Sequence, residues 1–107
     1  MFTTFEAITP KEILPGFKAR FIHTASQTLS LVTIEEGAVL PEHAHMHEQI
    51  SQVLEGSFEL TVGKETRVCS PGDIALIDSN VPHSGKALTA CTIFDIFTPV
   101  REDYQSL

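Results

Sequence analysis

At 107 residues the chain has room for one domain with a single core and none for a second. Seven Lys plus Arg against fourteen Asp plus Glu give a formal net charge of -7 with the basic residues scattered, which argues against nucleic acid and anionic membrane as partners. No apolar run reaches the length of a membrane span, and the opening MFTTFEAITPKE lacks a basic segment followed by an apolar one, so a soluble, cytoplasmic protein is expected.

Taken in chain order, residues 1–12 read as an N-terminal arm, 13–101 as a β-domain and 102–107 as a polar tail. Pro15-Gly16 makes a turn, after which Phe17, Ala19 and Phe21 alternate with Lys18, Arg20 and Ile22, the period of a half-buried strand. Thr28 to Glu35 is β-branched and apolar, and Phe58, Leu60 and Val62 alternate with Glu59 and Thr61. Turn signals recur at Glu36-Gly37, Glu55-Gly56, Gly63-Lys64, Pro71-Gly72 and Asp78 to Asn80, the spacing of an antiparallel sandwich or barrel with almost no helix. Cys69 and Cys91 fall in strand-like segments and are expected as free buried thiols. An arm of this kind is suited to pairing with a neighbour's sheet, since edge strands need covering.

Between Gly37 and Gly56, three of the five histidines stand at alternate positions, His43, His45 and His47, followed by Gln49. An extended strand sends alternate side chains to one face, so these four could project together, and imidazole is the commonest transition-metal ligand. His83, after Pro82 and the turn-rich Asp78-Ser79-Asn80, offers a further donor from a second hairpin. Glu42 and Glu48 have the opposite parity, and Glu48 would replace Gln49 only across a bulge. His23 is expected in solvent near a strand end.

The last strand, ACTIFDIFT from Ala90 to Thr98, is apolar or small except for Asp95. A carboxylate there is costly to bury unless a cation, a hydrogen-bond network or a wet cavity meets it. Asp95 shares its parity with Ile93 and Phe97, and Arg101 follows six residues on. An Asp95–Arg101 ion pair and a place in the barrel mouth beside a metal both satisfy it.

The spacing Gly37, five residues, His43-x-His45, three residues, Gln49, six residues, Gly56 resembles the first cupin motif, and Gly72 through His83 resembles the second. The resemblance implies an all-β, single-domain cupin: an antiparallel double-stranded β-helix, or jelly-roll barrel, often a homodimer. Its motif frame selects His43, His45, Gln49 and His83 as ligands of one divalent transition metal and leaves His47 as a spacer. Gln49 stands where most cupins place a glutamate. Zinc, nickel, iron, cobalt and manganese all suit three imidazoles and an amide oxygen.

Within the cupins, HxHxxEQ joined to the ending FDIFTPVRED is similar to the KdgF type, cupins of pectin and alginate degradation that turn 4,5-unsaturated monouronates into linear keto-sugars. Carried over by motif, Asp95, Phe97 and Arg101 are the residues that act on the sugar. The implied partner is a small anionic sugar acid, and four neutral ligands, which leave the ion's charge uncompensated, are compatible with it. A metal-dependent dioxygenase acting on a small molecule and a non-catalytic cupin that senses or stores a ligand are the alternatives.

Overall fold

The computed structural model describes residues 1–107. Ten strands form in chain order: β1 (Lys11–Leu14), β2 (Phe17–His23), β3 (Thr28–Ile34), β4 (Val39–His43), β5 (Glu48–Glu55), β6 (Phe58–Val62), β7 (Glu65–Cys69), β8 (Ile74–Ile77), β9 (His83–Ala87) and β10 (Cys91–Thr98). They build a six-stranded sheet in the order β1-β2-β3-β10-β5-β8 and a four-stranded sheet in the order β4-β9-β6-β7, antiparallel throughout. This is the cupin jelly roll expected above. No helix is long and apolar enough to cross a membrane.

Period-2 alternation decides which residues face inward. On β10 the side chains of Cys91, Ile93, Asp95 and Phe97 are buried while those between are only partly so, and β3 buries Thr28, Ser30, Val32 and Ile34 in the same way. Cross-strand register then sorts the interior into rows. Ala19, Val32, Ile93 and Val53 align in an apolar row within the main core. Two residues along each strand the row reads Phe21, Ser30, Asp95, Ser51, and the next reads His23, Thr28, Phe97, Gln49. The interior therefore passes from an apolar end to a polar end along the strands, and every candidate site residue lies toward the polar end.

Both cysteines are free and belong to the apolar core. Gly56 closes the β5–β6 turn at φ 82° with the Ala90 carbonyl where a Cβ would stand, so no other residue fits without backbone movement. The N-terminal segment lies across the body: a 3-10 turn at Phe5–Ala7 sets Phe5 edge-on to Phe94 at 6.2 Å, and Arg20 Nε donates to the Ile8 carbonyl at 2.9 Å. At the other terminus Glu102–Gln105 forms a single helical turn, α1.

Candidate functional site

The histidine run is not one strand. β4 ends at His43 and β5 begins at Glu48, so Ala44 to His47 cross from the four-stranded sheet to the six-stranded one. His43 and His83 sit opposite each other on neighbouring strands, with ring centroids 4.2 Å apart, and His45 reaches in from the crossing, 4.9 Å from His83. The ligating atoms of His43, His45 and His83 lie within 4.8 Å of one another, a group that could hold a metal ion. His47 is outside that group and lies edge-on to His45 at 5.6 Å. Shared parity therefore fails to place His47, because the extended strand it assumes is interrupted.

Backbone carbonyls fix the tautomers. Nδ1 of His43 lies 2.8 Å from the Pro41 carbonyl, Nδ1 of His45 lies 3.0 Å from the His47 carbonyl, and Nδ1 of His83 lies 2.9 Å from the Val81 carbonyl. A carbonyl only accepts, so each Nδ1 carries the hydrogen and each Nε2 keeps its lone pair. Burial pushes the His83 ring below its usual range, and burial and then the nearby Arg101 charge do the same to His45, which keeps both neutral and basic toward a cation at neutral pH.

Gln49 lies beside this group. Its Nε2 donates to Ser51 Oγ at 2.9 Å and to Asp95 Oδ1 at 3.3 Å, which turns its Oε1 toward His45 Nε2 at 3.0 Å. With the His45 hydrogen on Nδ1, that contact sets two lone pairs face to face. His83 Nε2 is buried with no hydrogen-bond partner at all. A cation among these atoms relieves both faults, so the residues fit a metal ion by the chemistry of their donors.

Asp95 is 8% exposed and accepts from Ser51 Oγ in a short hydrogen bond as well as from Gln49. Burial raises its carboxyl from 3.8 to about 6, with the Ser51 and Gln49 hydrogen bonds and then Arg101 opposing the shift. The Asp95–Arg101 ion pair does not form. Arg101 instead gives Nε and Nη2 to Asp103, at 3.0 and 2.7 Å, while its backbone N–H donates to Thr28 Oγ1 at 2.8 Å. Phe97 is buried, edge-on to His45 at 5.7 Å, with the Arg101 guanidinium 4.9 Å above its ring. One cavity is lined by the three histidines together with Gln49, Asp95 and Arg101, and Phe97 and Tyr104 form part of its wall.

His23 ends β2 as expected but is half-buried rather than solvated, bonded through Nδ1 to Thr28 Oγ1 at 2.9 Å and stacked on Phe21. Three residues join the site that the sequence reading does not single out. Ser51 follows Gln49 at strand spacing, a signal available in the sequence. Asp103 and Tyr104 lie in the tail, and only the presence there of the chain's single tyrosine sets that segment apart.

Residues 30–97 match the Cupin domain family. Over 90% of its length the chain is 34% identical to the pectin degradation protein KdgF of Dickeya dadantii (strain 3937), covering 91% of that protein. The structure of KdgF from a Halomonas species superposes with a TM-score of 0.91 at 30% identity over 97% of each chain. An RmlC-like cupin from Shewanella frigidimarina NCIMB 400 also gives 0.91, at 29% identity over 96% of this chain and 94% of that one. With the motif match spanning more than half the chain and the KdgF likeness nearly all of it, the chain belongs to the cupin family, among the KdgF-type members.

Proposed function

We propose that the protein converts a 4,5-unsaturated monouronate, of the kind released in pectin or alginate breakdown, to its linear keto form in a metal-dependent isomerisation. The observation that carries this reading is the joint occupancy of one cavity by a neutral donor cluster, a buried carboxyl and a guanidinium. The names of the KdgF relatives support it. The reaction is a net isomerisation. The anomeric hydroxyl loses its proton, the bond from carbon 1 to the ring oxygen breaks as the carbon 1 carbonyl forms, negative charge passes to an enolate oxygen on carbon 5, and a proton arrives at carbon 4.

His43, His45, Gln49 and His83 are the residues that would hold one divalent ion, which supplies positive charge for the developing oxyanion. Asp95 takes the hydroxyl proton and delivers one to carbon 4, a task suited to a carboxyl raised to about 6 and still largely ionised at neutral pH. Arg101 binds the substrate carboxylate, and Phe97 gives the sugar ring an apolar wall. Metal analysis of the purified protein, combined with loss of the unsaturated-uronate absorbance on adding it, tests the reading. One ion per chain and a dioxygen-independent loss are expected. Activity that requires dioxygen, or none from metal-loaded protein, overturns it.

Gln49 offers a second check. Gln49→Glu places a charge in the ligand set, so metal should be retained or tightened while the pull on an anionic substrate weakens. Activity should fall more than metal content, and equal or higher activity would remove the charge argument.

The homodimer belongs to the same proposal. Ile22, Leu29, Ile96, Ile50 and Leu76 align across the outer face of the six-stranded sheet, and Ile74 and Leu76 on its β8 edge are 58% and 71% exposed. This row carries no charge, so a flat two-fold contact between identical copies sets no like charges directly opposite each other there. Leu76→Arg should turn a dimer into a monomer in sedimentation equilibrium. A wild-type monomer at micromolar concentration would remove the dimer.

A further inference from the structure

The tail beyond Arg101 makes contacts that the proposed reaction leaves unassigned. Asp103 takes one edge of the Arg101 guanidinium, the Nε and Nη2 hydrogens, at 3.0 and 2.7 Å. Tyr104 takes one face: the guanidinium carbon stands 3.9 Å from its ring centroid. The tyrosine is itself held, stacked on Phe21 at 4.5 Å and edge-on to Phe97 at 5.9 Å. The Thr28 hydroxyl fixes the backbone beneath. Arg101 lines the cavity with its side chain only 10% exposed, whereas the Asp103 side chain is 57% exposed and lies outside the cavity lining.

A guanidinium has five N–H donors and two edges able to grip a carboxylate. Asp103 occupies the edge that includes Nε, and no second carboxylate pairs with Arg101. We infer that Asp103 and Tyr104 are positioning residues, a clamp built by the C-terminal turn that holds Arg101 by one edge and one face so that its Nη1 edge is offered to a carboxylate in the cavity. The inference rests on the reading of Arg101 as the carboxylate anchor. It makes α1 part of the site. A flexible arginine loses side-chain freedom each time it grips a ligand, and the clamp meets that entropy cost during folding instead.

The rival arrangement is competition, in which the substrate carboxylate must displace Asp103. The two differ in sign. If Asp103 clamps, Asp103→Ala should raise KM for the unsaturated uronate by about tenfold, the scale of one charge-assisted contact, with kcat little changed. If it competes, KM should fall. Asp103→Asn, which keeps one acceptor oxygen, should lie between Ala and wild type.

A second readout needs no substrate. Tyr104 is the only tyrosine and the chain has no tryptophan, so the tyrosine band in near-ultraviolet circular dichroism reports this ring alone. Asp103→Ala should weaken that band while the peptide-band spectrum stays unchanged. An unchanged tyrosine band overturns the clamp, and a weakened band with unchanged or lowered KM overturns the presentation of Arg101. Should the wild type fail to act on unsaturated uronates, the functional reading falls, and the clamp is still decided by the tyrosine band.

Discussion

Replacing His43 and His45 together by alanine should leave the protein folded but with no bound metal ion and no turnover of an unsaturated uronate. Two of the four proposed donors are lost, and since disturbing even the partners of a ligand weakens metal binding by about 10- to 100-fold, removing two ligands outright should weaken it by more. The fold survives because neither residue belongs to the apolar core: His43 is exposed at the end of β4, and His45 lies in the crossing to β5. The carbonyls of Pro41 and His47 that lose their imidazole donors belong to exposed or half-buried residues, where water can replace them. Elemental analysis of the purified variant, beside melting of the metal-free wild type, checks both halves. Full occupancy in the double variant would sink the ligand assignment. His47→Ala should change occupancy little, since His47 lies outside the convergent group; a large loss there would move the site by one member of the run.

How far the site can be read from sequence depends on whether a residue's direction follows from local periodicity. Asp95 is the favourable case: on an eight-residue strand its parity with Ile93 and Phe97 fixes its inward direction, and the structure buries all three. The histidine run is a mixed case. Alternation groups His43 with His45, yet they meet because the chain changes sheets between them, and cross-strand pairing brings His83 opposite His43. Parity alone does not separate His47 from its neighbours, although the motif frame leaves it as a spacer; in the structure the chain bends at Met46 and His47. Arg101 is the unfavourable case. Choosing between Asp95 and Asp103 as its partner needs the direction of a side chain beyond the last strand, and a helical turn of four residues is too short to show a period. The same brevity hides Tyr104, whose half-buried ring cannot be foreseen from a segment of mostly polar residues.

Asp95→Asn should lower turnover by roughly 10²-fold or more, the scale of general acid-base catalysis, while metal content stays near that of the wild type. The exchange is nearly isosteric, and the asparagine oxygen can still accept from Ser51 Oγ and Gln49 Nε2, so the amide that orients Gln49 toward His45 is preserved. Stability provides an independent sign. Burial raises the folded-state carboxyl from 3.8 to about 6, so in the metal-free protein the Asp95 contribution is fully present below the unfolded value and is lost as pH rises through about 6. A shift of about two units corresponds to about 3 kcal/mol. Asparagine carries no such dependence. The metal-free variant should therefore melt higher than the metal-free wild type above neutrality, and the difference should shrink as pH falls toward the ordinary carboxylate range. A variant that melted lower at neutral pH would mean that Arg101 and the hydrogen bonds outweigh desolvation and that the charge at Asp95 is structural. Unchanged turnover per folded molecule would take Asp95 out of the mechanism whatever the melting shows.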